Sequence, residues 1–379
     1  MAQPTLVRNP VELLSRHDEA SIGSASVLPR QAFAKRVYEI NPLQDPRWDR
    51  LVERHHLASV FHSANWLRAL RSTYGYDAVA VSTNPPDAEL SNAVLFCRVE
   101  SWLTGRRYVS LPFSDHCDPL VDSAGELDQL LLHMNRKVNE AGWAYVEIRP
   151  TVFDPCDATG LGKSDTYYHH RLDLHKSAEE LFHDFHKDCV QRKIRRAERE
   201  KLRYEEGRSE AQLEEFYRLM VTTRRRQGLP PQPMDWFRGL IASFGDSLKI
   251  RVAMKDDTPV AGILTLSHKN CMTYKYGCSD AKFNNLGGTP LLFWKAIEDA
   301  KANGLEELDL GRSDIDNLGL VAFKEHWGAS RSLVNYWRYP KTNPTNPTAW
   351  TMRLGHKIAS VLPQWSLKAI GGVVYPHIG

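Results

Sequence analysis

An α/β fold built twice in one chain is what this sequence predicts, and three observations carry the prediction. Trp66-Leu67-Arg68-Ala69-Leu70 with Tyr74-Gly75 returns as Trp236-Phe237-Arg238-Gly239-Leu240 with Phe244-Gly245, every pair at the same offset. Gly142 stands five residues before Glu147 of Val146-Glu147-Ile148, as Gly304 stands five before Asp309 of Leu308-Asp309-Leu310. Strand-like and helix-like runs also follow one another in a similar order on both sides of the middle. A repeat of domain length reads as a duplicated domain, not a short-period solenoid. Two such domains leave a cleft between them, where ligands tend to bind.

The first unit is expected over residues 34–165, after a Ser-, Ala- and Pro-rich flexible leader at 1–33. Ser63 is placed to cap the helix of Trp66, since its hydroxyl can accept from an orphan N–H of the first turn. Apolar runs predict strands at 78–81, 93–99 and 108–111. The loop 111–119 comes next, then a helix over 125–141 and a strand at 145–148. The second unit, 166–340, opens with two capping boxes, Ser177 to Glu180 and Ser209 to Gln212. Leu213, Phe216, Tyr217 and Met220 then share one helical face. Strands are expected at 249–254, 260–267 and 272–277. Thr289-Pro290 opens a helix that Gly304 closes, and strands at 307–310 and 333–339 follow. In residues 341–379 a proline-spaced linker leads to an amphipathic helix with Trp350, Leu354, Ile358 and Val361 on one face.

A net charge of +3 hides strong polarisation. Residues 187–203 hold eight Lys/Arg against three acids, and residues 326–379 hold six with no acid. Cations gathered in two places point to anionic partners. For the basic helix these are tRNA phosphates or a polyanionic saccharide carrier; DNA is not among the expected partners. The plainer alternative is a solvated face, with Val190, Ile194 and Ala197 as the buried stripe. The six cysteines form no CxxC pair and no zinc-like spacing, which suggests reduced, mostly buried thiols. His183 and His186 stand one turn apart, but a solvated helix face explains them more simply, and no metal is expected. No apolar run approaches the ~18 residues of a membrane span. With no apolar segment of signal type at the N-terminus, a cytoplasmic protein is expected. The last helix is either a peripheral contact with the inner face of the membrane, through Trp350, Trp365, Arg353 and Lys357, or a closing helix packed on the first unit.

The densest chemical constellation is Asp309-Leu310-Gly311-Arg312-Ser313, followed by Phe323-Lys324-Glu325-His326-Trp327-Gly328. A glycine straight after a strand lets backbone pass close to a ligand. Arg312 and Lys324 suit a phosphate or carboxylate, one as a fork and the other as a point charge. Alternatively, Asp309 and Arg312 pair with each other and Lys324 is a surface residue. Tyr274 and Tyr276, either side of Lys275, offer phenol donors or pack on one sheet face. Asp115, His116 and Asp118 are an acid–base cluster at a loop tip, or an ordinary turn.

Four blocks, in this order, resemble FemAB-like proteins, the Fem-type aminoacyltransferases and their relatives in the wider GNAT acyltransferase fold. They are Arg192-Lys193-Ile194-Arg195-Arg196-Ala197-Glu198, the stretch Thr223 to Pro230, the helix Pro290 to Gly304, and the paired motifs at Asp309–Ser313 and Phe323–Gly328. The resemblance covers Leu181 to Ser330, and the first half joins it through Leu111-Pro112-Phe113. Its spacing looks closest to the branch associated with bacterial exopolysaccharide systems.

That resemblance implies two tandem GNAT-like domains, each a mixed, mostly antiparallel sheet flanked by helices. It implies acyl transfer onto an amine, with aminoacyl-tRNA or acyl-CoA as co-substrate and no tightly bound cofactor. Lys324, Arg312, Asp309 and Tyr276 are the expected catalytic residues. Arg192, Arg195, Arg224, Arg225, Tyr274, Ser313, Trp327, Asp115 and His116 are expected to bind substrate. Gly287, Gly288 and Thr289 would hold a donor phosphate at a helix N-terminus. Asn284 to Thr289 lacks the Arg/Gln and the last small residue of the usual acetyl-CoA loop, which tilts the expectation towards another donor. The acceptor would be an anionic small molecule, a glycolipid or a sugar nucleotide of peptidoglycan or exopolysaccharide synthesis. Two rivals stand beside this reading: an acyl-CoA-dependent N-acetyltransferase acting on a small amine, and a non-catalytic module for an anionic glycoconjugate.

Overall fold

The computed structural model describes residues Arg36–Lys341 and Gln364–Ile378. The leader at 1–33 and the stripe of Trp350, Leu354, Ile358 and Val361 lie outside the described residues. The first half runs β1 (Tyr38–Ile40), α1 (Arg47–Arg54), α2 (Ala64–Tyr74), β2 (Asp77–Ser82), β3 (Val94–Ser101), β4 (Gly105–Val109), α3 (Ala124–Ala141), β5 (Tyr145–Ile148) and β6 (Gly162–Asp173). After α4 (Ala178–Asp184) and α5 (Arg192–Arg199), the order begins again. It gives β7 (Arg203–Gly207), α6 (Glu210–Arg226), α7 (Met234–Phe244), β8 (Leu248–Lys255), β9 (Thr258–His268), β10 (Cys271–Ser279), α8 (Gly288–Ala302), β11 (Glu307–Asp314), α9 (Leu318–Glu325) and β12 (Ser330–Tyr339). A last helix, α10, spans Gln364–Val374.

Local chemistry accounts for the helix ends. The hydroxyl of Ser63 accepts from Trp66 N, and both expected capping boxes form at Ser177 and Ser209. Among the strands, β1, β7 and β6 escaped the sequence reading. The first two are three- and five-residue edge strands, too short for a period to show. β6 is polar along most of its length and carries Tyr-Tyr-His-His in place of an apolar run.

Among the described residues the strands make one twelve-stranded sheet, ordered β1-β2-β3-β4-β5-β12-β6-β11-β10-β9-β8-β7. It is mixed: β4 and β5 run parallel, as do β10 and β11, and the other pairs are antiparallel. The final strand of each half has crossed to the other. β6 pairs with β11, while β12 pairs with β5, and the exchanged strands pair with each other. The boundary expected at 165/166 therefore falls inside β6.

The echoed helices meet in space. Trp66 of α2 and Trp236 of α7 are fully buried and touch edge to face, with centroids 5.3 Å apart. Gly239 replaces the Ala69 of the echo because the helices approach there; a Cβ would lie 2.8 Å from Thr73 Oγ1. Together with one face of the sheet from both halves, α1, α2, α6 and α7 enclose one shared apolar core. The opposite face is covered by α3 in the first half and by α4, α5 and α8 in the second.

The closing helix α10 is followed by Tyr375, which touches both halves. Tyr76 Oη donates to Tyr375 O, Tyr375 Oη donates to Pro230 O, and a Cβ on Gly371 would lie 2.1 Å from Pro231 O. The packing expected on the first unit alone thus extends to the second. No helix among the described residues is long and apolar enough to cross a membrane.

Candidate active site

Two bulges and a parting of strands create the site. β10 and β11 pair only from Cys271–Thr273 against Glu307–Asp309, although both strands run on. Just beyond that point each is bulged, β10 at Lys275 and β11 at Leu310-Gly311. A bulge re-aims the side chains around it. Tyr274 and Tyr276, expected on one face, are sent to opposite faces by the extra residue. Tyr276 packs on Phe237 in the shared core, and its oxygen accepts from Trp236 Nε1 at 2.8 Å. Tyr274 packs on Phe293 in the other core. Burial raises both phenols well above their usual range, so neither releases a proton at neutral pH.

Lys275 swings towards the first half and donates to Asp115 Oδ2 at 2.9 Å. Arg312 approaches the same carboxylate, with Nε 3.9 Å from Oδ1. Its Nη1 donates to Tyr336 Oη at 2.7 Å, and its guanidinium lies 4.1 Å from the Tyr167 ring centre. Burial raises the carboxyl of Asp115, but Lys275 and Arg312 outweigh it and hold the group below the usual carboxylate range. Gly311 makes this closeness possible: its φ is +69°, and a Cβ would lie 3.0 Å from Asp115 Oδ2. The glycine admits a side chain of the first half where a ligand was expected.

Lys324 is buried, contrary to the surface alternative. From the last turn of α9 its Nζ donates to Gly311 O and Arg312 O, each at 2.8 Å. Two of its three N–H bonds thus grip the bulge of β11, and the third has no partner among the described residues. Desolvation pulls its pKa down to about 8.

Asp309 does not orient Arg312. Its carboxylate is buried beneath the bulge, accepting from His169 Nε2 at 2.8 Å, His116 Nε2 at 3.0 Å and Gly311 N at 2.7 Å. His116 also faces Asp118 at 3.4 Å. It is no loop-tip residue: this side chain is 3% exposed and locked between two carboxylates. Burial works against its charge, but Asp118 and Asp309 win and push it up to about 9. The two histidines in turn keep Asp309 well below the normal range. His116 and Asp309 line a cavity of about 580 Å³ bounded by residues 53–60 of the first half and the starts of β10 and β11.

A second cavity, about 370 Å³, lies at the N-terminus of α8. Gly288 and Thr289 line it, whereas Gly287 is packed under α5, with Lys193 O 2.2 Å from where a Cβ would stand. No side chain caps α8 and its first turn has no acid, so its N–H groups remain available to an anion. Lys193 and Ser279 also line the cavity, and Arg226 donates to Ser279 O. Arg192 and Arg195 are exposed on α5, where Arg192 pairs with Asp188 and Arg195 lies over Phe182. Arg224 and Arg225 are half-buried in the last turn of α6. Ser313 is buried with its hydroxyl unpartnered among the described residues. Trp327 is a core residue, packed on Phe185 and Phe293.

Sequence reasoning missed Lys275, Tyr336 and His169 as site members. A lone carboxylate in the apolar strand Leu308-Asp309-Leu310 demands buried partners, and the Tyr-Tyr-His-His run of β6 was the available supply.

Comparison with known proteins gives four results. Residues 184–325 match the acetyltransferase (GNAT) domain family. Over 183 residues the chain is 25% identical to UDP-N-acetylmuramoylpentapeptide-lysine N(6)-alanyltransferase of Weissella viridescens, covering 47% of this chain and 48% of that protein. The chain thus spans about half the length of this curated relative. The crystal structure of FemX superposes with a TM-score of 0.62 at 16% identity, over 80% of this chain and 97% of that one. A tandem GNAT protein of clavulanic acid biosynthesis superposes with a TM-score of 0.51 at 11% identity, over 81% and 99%. These matches support the resemblance read from the four sequence blocks.

Proposed function

We propose that this chain, FemAB-like and built on the GNAT fold, is an acyltransferase that forms an amide on an amine of a cell-envelope precursor. The observation that carries the reading is Lys324: a buried ammonium clamped to the β11 bulge, with one N–H directed by no protein partner among the described residues. In amide formation the acceptor ammonium first loses a proton to solvent, the amine nitrogen attacks the acyl carbonyl, the carbonyl oxygen gains charge, and the ester or thioester bond then breaks as the leaving oxygen or sulfur takes up the nitrogen's second proton. A preorganised cation in a dry site stabilises that oxygen, or the donor phosphate beside it. Arg312 supplies a second fixed cation. Asp115, already an anion between Lys275 and Arg312, is a better anchor for an acceptor ammonium than a base for its proton. His116 is charged and held between Asp118 and Asp309, so it positions Asp309 and the loop.

The duplicated order of elements and the exchange of final strands support an internal duplication as the origin of the cleft. Basic residues on α5 and at the end of α6 support an aminoacyl-tRNA donor. The relative from Weissella viridescens supports an acceptor of the UDP-N-acetylmuramoylpentapeptide type; the exopolysaccharide acceptor is the finer alternative. One observation favours a second reading, an acyl-CoA donor: the uncapped N-terminus of α8 opens on a cavity.

The test is transfer of a labelled group from alanyl-tRNA or from acetyl-CoA to UDP-N-acetylmuramoylpentapeptide, read by mass. Product from alanyl-tRNA supports the main reading, and product from acetyl-CoA alone supports the second. Binding of the acceptor with no transfer from either donor would leave a non-catalytic module.

A further inference from the structure

His186, Cys189 and His326 take no part in the transfer step and form a cluster of their own. One ligating atom from each lies within 4.8 Å of the others. His186 and Cys189 stand three apart at the π-helical turn Lys187–Gln191, which leads into α5. His326 closes α9, two residues after Lys324. The two segments are tied by a bond from His186 N to His326 O at 2.9 Å, and the imidazole centres lie 4.4 Å apart. Cys189 and His326 also line the 370 Å³ cavity at the start of α8.

The donor set is chemically selective. Two imidazoles and a thiolate suit zinc-class ions, while magnesium and calcium favour oxygen ligands. Among the described residues, the Cys189 sulfur and the His326 ring have no hydrogen-bond partner. His186 Nδ1 accepts only a long bond from Cys189 N, at 3.2 Å. His183, the neighbour one turn away, is exposed and faces Asp184 instead.

We propose that His186, Cys189 and His326 form a three-ligand site for a zinc-class divalent ion, with the fourth position open to the cavity. Three protein ligands and one open position is the arrangement in which such ions meet an exogenous ligand. Bound there, the ion fastens the start of the basic helix α5 to the end of the helix that carries Lys324. It also places a positive charge at the rim of the cavity, where an anionic ligand can complete its coordination. The sequence hides the site because its third ligand comes from a distant element. The proposal does not depend on the transfer chemistry.

Cobalt(II) is the probe, titrated into the untagged full chain after chelator treatment. A thiolate-to-cobalt charge-transfer band saturating at one ion per chain, and displaced by zinc(II), is expected. The band should persist in Cys156→Ser, which removes an exposed thiol elsewhere. It should vanish in Cys189→Ser, and binding should weaken by at least about tenfold in His326→Asn. Circular dichroism on each variant shows that folding is intact. No band in the unmodified protein, a band that survives Cys189→Ser, or one lost with Cys156→Ser would overturn the proposal.

Discussion

Glu147 on β5 and Asp309 on β11 occupy matching places in the two halves, five residues after a helix-ending glycine, and are treated in opposite ways. Both are buried, and both are held by the strand received from the other half. Glu147 accepts from Arg149 and from Arg338 of β12, whereas Asp309 accepts from His116 and from His169 of β6. Arginine stays charged at any ordinary pH, so the first knot is permanent. Histidine titrates, so the second knot is conditional. The surroundings diverge in the same direction. The hydroxyl of Ser123 caps α3, with Glu126 in its first turn, while α8 is uncapped and faces a cavity. After β5 the chain makes a loop and a short 3₁₀ turn; after β11 it makes α9, which delivers Lys324. The first half thus pairs an arginine-bound carboxylate with a capped helix, and the second pairs a histidine-bound carboxylate with an uncapped helix and a buried lysine.

Breaking the conditional knot should cost most. Asp309→Asn leaves His116 buried with one carboxylate fewer, and about 3–5 kcal/mol of stability should be lost in urea unfolding. Glu147→Gln should cost less, because Arg338 is partly exposed and Arg149 also donates to Leu111 O and Ser114 O.

Titration sharpens the contrast. The folded pKa of His116 is raised to about 9. Its contribution is therefore complete below the unfolded value near 6.5 and is lost as pH climbs towards 9. Lys324, lowered to about 8, opposes this only above pH 8. Between pH 6.5 and 8 the contribution of His116 should fall by roughly 2 kcal/mol, read as the narrowing stability gap between the unmodified chain and His116→Gln. A gap that does not narrow would sever the link to this histidine.

Glycines give the smallest effects. Gly311→Ala meets both a positive φ and the Asp115 carboxylate, and should cost about 1–3 kcal/mol. Gly142→Ala meets a positive φ but open space, and should cost nearer 1 kcal/mol. Equal costs would mean that the contact with Asp115 contributes nothing.

What the sequence disclosed was local. The capping serines, the amphipathic face of α6, the paired Trp66 and Trp236 helices and the carboxylate after each glycine all follow from spacing within a few residues. The pairing of Lys324 with Arg312 at one place was legible too, because both motifs flank a single strand–helix unit. Partners from afar were not. His169 reaches Asp309 only because β6 has crossed to the second half, and no periodicity encodes a strand exchange. Lys275 reaches Asp115 only because β10 is bulged, and the same bulge separated Tyr274 from Tyr276. Asp309 was assigned to Arg312 by proximity in sequence, yet strand geometry turns them to different neighbours.

We propose that the second half holds the chemistry through Lys324, while the matching carboxylate knot of the first half is structural. The direct measurement is turnover per folded molecule, in the donor–acceptor assay above, for Lys324→Ala beside Glu147→Gln. A loss of at least about 100-fold is expected for Lys324→Ala, and near-normal turnover for folded Glu147→Gln. Normal turnover in folded Lys324→Ala would contradict it.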